Sequence, residues 1–571
     1  MSRRIPIVVY CAGLLVILLG APHASARLGS QPARPKLVVL LMVDQMRADY
    51  LDRYGALLEH GLKRLTTNGA WYTKAALPYM NTVTCAGHAT AGTGTFPYQH
   101  GLINNAWISR RTEASETCTE DATTTLVAYG KFRGLGESAK RLMRPTLAEI
   151  LRKERQGRSV SLSLKARAAI GMAGHQGDAV LWFDEHGFVF TSSTAFTETP
   201  EPSIDAFIKA HPIEQAKGTE WARALPVARY QYDDEPDGER ANLGWGMAFP
   251  HPFGRDDRNF YPRWEESPLS DEYLEQMAEA AVDGLRLGTS QGTDFLGISF
   301  SALDLVGHAF GPRSHEVQDV IVRIDRTIGR LLDFLDQRVG RDNYVLALSS
   351  DHGVGDIPEQ VSGARVSAEV VVRVIDETLR GMWPESPSRD IADVIRPFLG
   401  GGLYVSGISN NDVYFRAGVF DRLQRDQKAM RAVLDALRGI PGLASVLRGD
   451  ALATPDARSS SDPATRAAAL SYVPGQSGDL VLVLQENAVI STSAANHGTA
   501  HDYDQQIPII FYGPGIPAGR LEAPASSADI AVTLAARLGL TMAAADGHVL
   551  FTGTQQPLHE AVTSARDTSR R

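Results

Sequence analysis

"KLVVLLMVDQ", residues 36–45, is a continuous apolar run that ends on a carboxylate and an amide. A run of this length, rich in Val and Leu, predicts a strand that is buried on both faces of a parallel sheet. Ligands of open α/β sheets bind beyond the carboxyl ends of such strands. The stretch therefore predicts the class of fold and, in Asp44, a first candidate site residue.

Similar apolar runs recur along the chain and alternate with segments of helical periodicity. Buried strands are predicted at residues 36–43, 159–164, 294–300, 343–350 and 507–513. Helices are predicted at residues 146–154, 272–287, 317–337 and 527–539. This alternation predicts an α/β fold with a mostly parallel central sheet and helices on both of its faces.

The length of 571 residues leaves room for one large domain with insertions or for two domains. We predict a domain over residues 27–571, with inserted cap segments at about 176–293 and 355–480. The net charge of -9 argues against nucleic acid as the main partner, because binding to its backbone needs clustered Lys and Arg.

The N-terminus has the three parts of a secretory signal peptide. A basic "MSRR" precedes the apolar "IPIVVYCAGLLVILLGA", and "HASA" ends on small residues. We predict cleavage after Ala26 and a periplasmic or secreted protein without a membrane span; the alternative is an uncleaved anchor. Cys85 and Cys118 then remain in an oxidising compartment, and the sequence leaves open whether they pair.

Polar side chains follow several of the predicted strands. Each alone is compatible with a helix cap or a turn, and His497 precedes a strand. Asp and His together offer the oxygen and nitrogen ligands that suit zinc. The candidate ligands are Asp44, Asp304, His308, Asp351, His352 and His497, with Lys165 and Arg167 at a further strand end.

The segment "NTVTCAGHATAGTGTFPYQHGLINNAW", residues 81–107, contains the candidate nucleophiles Thr82, Thr84, Cys85 and Thr90. Residues 60–112 contain basic residues but no Asp or Glu, so we expect the field around Thr84 to favour an anion. The small residues after Thr84 allow close backbone approach, and a helix starting there would direct its N–H groups at that anion. The segment lacks the pattern of a nucleotide-binding P-loop.

Together these motifs resemble the threonine-type bacterial alkaline phosphatases of the alkaline phosphatase superfamily. The matching stretches are "LMVDQ", "TCAGHATAGTGTFPYQHGLINNAW", "SLKAR", "LDLVGHAFGP", "SSDHG" and "HGTAHDYDQQIP", in matching order. The resemblance implies an alkaline-phosphatase-like fold, two zinc ions and hydrolysis of small phosphate monoesters through a covalent phosphothreonine.

The resemblance also implies roles for single residues. Thr84 matches the nucleophile, whose oxygen also binds a metal, and Asn105 matches the phosphate-binding Asn, with Asn104 as a competitor. Lys165 and Arg167 match the pair that contacts the transferred phosphoryl group. The two zinc sites match one set of Asp44, Asp351 and His352 and a second set of Asp304, His308 and His497.

Three other functions share part of this pattern. A sulfatase needs Cys-x-Pro-x-Arg, and Cys85 is followed by "AGHA". A nucleotide pyrophosphatase or phosphodiesterase shares the metals and the Thr, but Lys165 and Arg167 favour a monoester, which presents one more free oxygen. An inactive zinc-containing binding protein would lack an expected residue, and none is missing. The physiological ester, the oligomeric state and any additional Ca²⁺ or Mg²⁺ stay open.

Overall fold

The computed structural model describes residues 34–241, 243–255, 258–383 and 401–551. The predicted signal peptide, residues 1–26, lies outside the described residues. Within the described part of the chain, no helix is both long enough and apolar enough to cross a membrane.

The strands are numbered along the chain. They are β1 Leu37–Val43, β2 Ala70–Ala76, β3 Ala106–Ile108, β4 Ser115–Thr117, β5 Glu120–Ala128, β6 Leu135–Glu137, β7 Ser159–Ser163, β8 Ala179–Asp184, β9 Val189–Ser193, β10 Glu220–Trp221, β11 His251–Pro252, β12 Asp294–Phe300, β13 Tyr344–Ser349, β14 Ala364–Arg365, β15 Val405–Ser409, β16 Asp412–Phe415, β17 Leu443–Arg448, β18 Leu480–Leu484, β19 Ala488–Val489, β20 Ile509–Tyr512 and β21 Gly519–Ser526.

The α-helices are numbered in the same way. They are α1 Tyr50–Arg53, α2 Gly61–Asn68, α3 Thr84–Thr93, α4 Pro97–His100, α5 Leu147–Arg155, α6 Ala166–Ala173, α7 Pro202–Ala210, α8 Phe260–Glu265, α9 Pro268–Gly284, α10 Ala302–Phe310, α11 His315–Leu335, α12 Ala368–Met382, α13 Val419–Arg425, α14 Gln427–Arg438, α15 Gly449–Leu452, α16 Pro455–Arg458, α17 Pro463–Ser471, α18 Asp502–Gln505 and α19 Ala528–Arg537.

The main sheet has eleven strands in the order β21-β2-β20-β13-β1-β12-β7-β8-β9-β5-β6. Its central five strands, β13-β1-β12-β7-β8, are all parallel. Strand β20 pairs antiparallel to β13, and β9 pairs antiparallel to β8. The predicted mostly parallel sheet is thus confirmed, and the five strands predicted from apolar runs all lie in it.

Strand β1 lies at the centre of the sheet and separates two apolar cores. Its odd-numbered residues, such as Val39, belong to one core, which also contains residues of α9 and α11. Its even-numbered residues, such as Leu40, belong to the other core, with residues of α5 and α19. Because successive side chains of a strand point to opposite faces, the continuous apolar run serves both cores, and helices cover both faces as predicted.

The two segments that were predicted as insertions differ in structure. Residues 176–293 begin with β8 and β9, which extend the main sheet. Residues 355–480 contain β15, β16 and β17, and with β18 these form a separate four-stranded sheet with its own apolar cluster. Their function as caps stays a prediction.

Candidate active site

Backbone pairing brings three strand ends to one level of the sheet. In the register of β1, Val43 pairs with Phe300 at the end of β12, and Met42 pairs with Ser349 at the end of β13. Asp44, Asp304 and Asp351 each follow one of these strands within a few residues, and all three are buried. The predicted carboxylates therefore meet at the carboxyl edge of the sheet.

Asp44, Asp351 and His352 form the first candidate metal group. One ligand atom from each lies within 4.8 Å of the others. His352 Nε2 is 3.3 Å from Asp44 Oδ1 and 3.4 Å from Asp351 Oδ2. The structure thus brings together the set that the resemblance implies for the zinc beside the nucleophile.

Asp304 is the centre of the second group. Its Oδ1 lies 3.2 Å from His308 Nε2, one helical turn later in α10, and 3.6 Å from His497 Nε2. His352 also has a ligand atom within 4.8 Å of Asp304 and His497, and the rings of His352 and His497 stack with centroids 3.6 Å apart. The two groups are therefore adjacent, and His352 borders both.

Each of the three imidazoles has its Nδ1 atom fixed by a backbone carbonyl. Nδ1 of His308 donates to Ala495 O at 3.0 Å. The same atom of His352 and His497 donates to Gly353 O at 2.9 Å and to Thr82 O at 2.8 Å. Because a carbonyl only accepts, the proton lies on Nδ1 and the lone pair of Nε2 faces the carboxylates, as metal-ligating histidines require.

The buried polar atoms of these groups fit a divalent cation. Asp44 Oδ1, Asp351 Oδ2 and His352 Nε2 are buried and lack a hydrogen-bond partner among the described residues. Burial and the nearby carboxylates of Asp304 and Asp351 raise the pKa of Asp44 well above its ordinary value. Burial, with His352 and His308 nearby, holds the pKa of His497 well below its ordinary value, which favours the neutral imidazole that binds metals.

Thr84 is the first residue of α3, and its neighbours in sequence contact both metal groups. The carbonyl of Thr82 holds His497, and His88 Nδ1 lies 3.3 Å from Asp351 Oδ2. Gly87 lies against Asp351 so closely that a Cβ atom there would be 2.3 Å from the Asp351 carbonyl oxygen. The short "CAGH" segment thus lets the start of α3 approach the candidate metal ligands.

Asn105 lies beside Thr84, whereas Asn104 does not. The N–H of Cys85, the residue after Thr84, donates to Asn105 Oδ1 at 2.9 Å. Asn104 instead extends its Nδ2 towards Ser409 O, at 3.5 Å. Of the two asparagines that the sequence left in competition, Asn105 is therefore the one placed against the first turn of α3.

Lys165 connects the two metal groups. It is buried, it lies two residues after the end of β7, and its Nζ lies 2.5 Å from Asp44 Oδ2 and also contacts Asp304 Oδ2. Burial opposes the charged form of Asp304, but Lys165 and His308 hold its pKa well below the ordinary value. One ammonium thus balances a carboxylate from each group.

Arg167 and Lys165 line a cavity of about 270 Å³ together with Asn105. Nε of Arg167 is buried and has no hydrogen-bond partner among the described residues. The same cavity is lined by four carboxylates, those of Glu137, Asp184, Glu185 and Glu265. Burial, and the charge of the neighbouring Glu185, raise the pKa of Glu265 to about 8. The pocket is therefore lined by both cationic and acidic side chains.

Sequence reasoning missed Gln45, which joins the two metal groups. Its backbone N–H donates to Asp351 Oδ1 at 3.1 Å, and its Nε2 donates to Asp304 Oδ1 at 2.6 Å. The only signal was its place directly after Asp44 at a strand end. His501, close to His497 in sequence, points elsewhere, because its Nε2 contacts Leu484 O at 3.0 Å.

Three of the five Lys and Arg residues between positions 60 and 112 form ion pairs with acidic residues outside the candidate site. Their charges pair elsewhere: Arg64 with Asp336, Lys74 with Glu522 and Arg110 with Asp479. Sequence proximity to Thr84 therefore did not place these three side chains at the site, and the anion-attracting field around Thr84 stays a prediction. The cations at this edge are Lys165 and Arg167.

Two curated relatives match most of the chain. Alkaline phosphatase PafA of Elizabethkingia meningoseptica is 29% identical over 535 residues, which is 91% of this chain and 95% of that protein. Alkaline phosphatase PhoK of Sphingomonas sp is 30% identical over 522 residues, 89% of each chain.

Solved structures agree with these matches. The crystal structure of PafA has a TM-score of 0.79 and 28% identity, covering 89% of this chain and 96% of that one. In a second PafA structure one Thr, one Asn, one Lys and one Arg are substituted. The Thr and Asn are as far apart in sequence as Thr84 and Asn105, and the Lys and Arg are as far apart as Lys165 and Arg167. Murine ectonucleotide pyrophosphatase/phosphodiesterase 5, at 15% identity and a TM-score of 0.51, covers 90% of this chain and 97% of its own and shares the fold.

The family comparison covers most of the chain. Residues 38–504 match the family of type I phosphodiesterases and nucleotide pyrophosphatases, and this span includes every candidate site residue described above. The superfamily resemblance predicted from the sequence is thereby confirmed. The chain is a hydrolase that belongs to the type I phosphodiesterase / nucleotide pyrophosphatase family.

Proposed function

We propose that the protein is a zinc-dependent alkaline phosphatase that hydrolyses phosphate monoesters through a covalent intermediate on Thr84. The observation that carries the proposal is the common cavity of Asn105, Lys165 and Arg167 next to the two Asp and His groups. A monoester presents three free phosphoryl oxygens, and three separate donors at one pocket suit that charge. The relatives named as alkaline phosphatases support the same activity.

The two ligand groups would each hold one zinc ion. Their oxygen and nitrogen donors, the orphaned buried atoms and the neutral His497 fit this ion. When bound, zinc supplies charge for the phosphoryl oxygens and lowers the pKa of a coordinated hydroxyl or water. Additional Ca²⁺ or Mg²⁺ is not part of the proposal.

The residues of this chain would perform two substitutions at phosphorus. The Thr84 oxygen attacks the phosphorus atom, the bond to the ester oxygen breaks, and the alcohol leaves with a proton. A water molecule then attacks the phosphothreonine, breaks its bond to the Thr84 oxygen, and releases inorganic phosphate. In both steps Asn105, Lys165 and Arg167 orient the phosphoryl group and offset its charge.

The proposed place of action is the periplasm or the extracellular space. Cys85 and Cys118, whose pairing the sequence left open, are joined by a disulfide. This supports the proposed location, because disulfides persist in oxidising compartments. The basic and apolar N-terminal sequence supports it independently, as a secretory signal cleaved after Ala26.

The second candidate is a phosphodiesterase or nucleotide pyrophosphatase. It is favoured by the family description and by the shared fold with the murine phosphodiesterase. A diester has only two free phosphoryl oxygens and a second substituent, so one of the three donors would lose its partner. The ratio of monoester to diester turnover separates the two candidates.

The test is turnover of residues 27–571 on 4-nitrophenyl phosphate, bis(4-nitrophenyl) phosphate and 4-nitrophenyl sulfate, after chelation and after zinc is returned. We expect zinc-dependent activity that is fastest on the monoester. Acid quenching should trap phosphate on the peptide that contains Thr84, detected by mass spectrometry. Preference for the diester would favour the second candidate, and inactivity on all three would reject both.

Two variants in helix α3 test whether Thr84 is the nucleophile. Thr84→Ala should abolish the trapped phosphopeptide and lower kcat by at least about 10³-fold, as loss of a nucleophile does. The matched control is Thr90→Ala, because Thr90 is also buried in α3 but bonds to the Ala86 carbonyl within its helix. Equal losses in both variants would contradict a nucleophile at Thr84.

A further inference from the structure

The Cys85–Cys118 disulfide joins the start of α3 to the hairpin formed by β3 and β4. Cys85 directly follows Thr84, and Cys118 directly follows β4. Both half-cystines are fully buried and pack in one apolar cluster with Trp107 of β3. The cross-link therefore joins two segments that the sheet itself does not hold together.

Asn105 is bonded to both half-cystines. The N–H of Cys85 donates to its side-chain Oδ1, and the N–H of Cys118 donates to its backbone carbonyl oxygen, each at 2.9 Å. The first bond fixes the plane of the amide, and the second fixes the main chain from which the amide projects. Together they define both the position and the orientation of this side chain.

The orientation has a chemical consequence. An amide whose oxygen accepts from Cys85 turns its NH₂ group to the opposite side. Asn105 and Cys118 line the same cavity as Lys165 and Arg167. Among the described residues, Nδ2 of Asn105 forms no hydrogen bond. Its two N–H groups are therefore available to donate to an oxyanion.

We propose that the Cys85–Cys118 disulfide is a positioning element that holds the Asn105 amide in the orientation needed to donate to the phosphoryl group at Thr84. This inference rests on the proposed function, because it assigns the ligand of Asn105 as a phosphoryl oxygen. It goes beyond the proposed function because it gives the cystine a part in phosphoryl transfer, in addition to any part in the stability of the fold. Rigid support matters because a misplacement of about 1 Å can cost roughly 10²-fold in rate.

The test is a double-mutant cycle on the full mature chain with zinc. Cys85→Ala/Cys118→Ala should lower kcat for 4-nitrophenyl phosphate about tenfold or more, with a smaller change in KM. Asn105→Ala should lower it by about 10² to 10³-fold. When Asn105 is already Ala, removal of the cystine should cause no further loss of kcat. Independent, multiplying losses would overturn the proposal.

A stability effect is measured separately. Removal of the cystine should lower the Tm by a similar amount in the wild-type and Asn105→Ala backgrounds. A loss of stability would therefore not produce the expected coupling in kcat. Asn104→Ala is the matched control, since Asn104 contacts Ser409 and should show no coupling to the cystine. Asn105→Asp keeps the acceptor for Cys85 but loses the NH₂ donors, and full activity of this variant would also overturn the proposal.

If the variant without cysteines fails to fold, the wild-type protein supplies the same comparison. Partial reduction by a phosphine, followed by alkylation, gives molecules with counted free thiols. Their activity should fall with the reduced fraction in wild type but not in Asn105→Ala. If the wild-type protein is active and its activity does not change on reduction, only this inference is rejected. If the protein has no monoesterase activity at all, the proposed function is rejected.

Discussion

Lys165 Nζ lies 2.5 Å from Asp44 Oδ2, and the same ammonium contacts Asp304. Two buried carboxylates from different candidate metal groups thus share one cation. Removal of that cation would leave both carboxylates without their partner and would also remove a donor for the phosphoryl group. Under the proposed function, Lys165 is therefore the residue that contacts both the candidate metal ligands and the substrate.

Lys165→Ala should lower kcat/KM on 4-nitrophenyl phosphate by about 10² to 10³-fold, the loss typical of one transition-state donor. The loss on bis(4-nitrophenyl) phosphate should be smaller, because a diester has one free oxygen fewer. Lys165→Arg should not restore activity, since a planar guanidinium cannot replace a compact ammonium between two carboxylates. Lys74→Ala, which breaks an exposed pair with Glu522, is the control. Equal losses on both esters would contradict the assigned role.

Gln45→Ala should weaken zinc binding by about 10 to 100-fold, as removal of outer hydrogen bonds to metal ligands does. The side-chain bond to Asp304 disappears, while the backbone bond to Asp351 remains possible. Competition with a chromophoric chelator measures this affinity. Gln424→Ala, at an exposed contact with Asp450, should leave the affinity unchanged. Unchanged affinity in Gln45→Ala would show that Asp304 needs no such support.

Gly87→Ala should destabilise the protein by about 1–3 kcal/mol, as overpacking does. It should also reduce activity, because the added Cβ would lie 2.3 Å from the Asp351 carbonyl oxygen and would force α3 away from the ligands. Denaturant unfolding and zinc-saturated kinetics measure the two effects. Gly381→Ala is the control, because that glycine lies in α12 and no atom of the described residues comes within 4 Å of its added Cβ. Wild-type behaviour of Gly87→Ala would mean that the helix start can move freely.

Glu239→Gln should stabilise the protein at alkaline pH. Glu239 is buried, both of its carboxylate oxygens lack hydrogen-bond partners among the described residues, and burial beside Glu316 raises its pKa from 4.5 to about 9. Between these values the folded chain holds a proton that the unfolded chain has lost, so stability falls as pH rises towards 9. The Tm advantage of the variant should grow from pH 6 to pH 10. A constant difference, or the same trend in exposed Glu522→Gln, would contradict this explanation.

The features that could be predicted from sequence are those that depend on the pattern of apolar residues along each strand and on the pairing of the strands. The apolar run before Asp44 predicted its strand, and the sheet then brought Asp304 and Asp351 to the same edge. The contacts of Gln45 with Asp304 and of Asn105 with both cysteines depend on side-chain orientation between distant segments. No local periodicity encodes such contacts, and the ion-pair partners of Arg64, Lys74 and Arg110 were not predictable for the same reason.

The register of three neighbouring strands sets the level of the candidate ligands through main-chain hydrogen bonds, which are independent of side-chain identity. Strand interiors can therefore exchange one apolar residue for another over evolutionary time while the ends stay aligned. Relatives that share only 28–30% of their residues with this chain can inherit the same arrangement of strand ends. Exchange of one apolar residue for another within β1, β12 or β13 should accordingly leave the level of the candidate ligands unchanged.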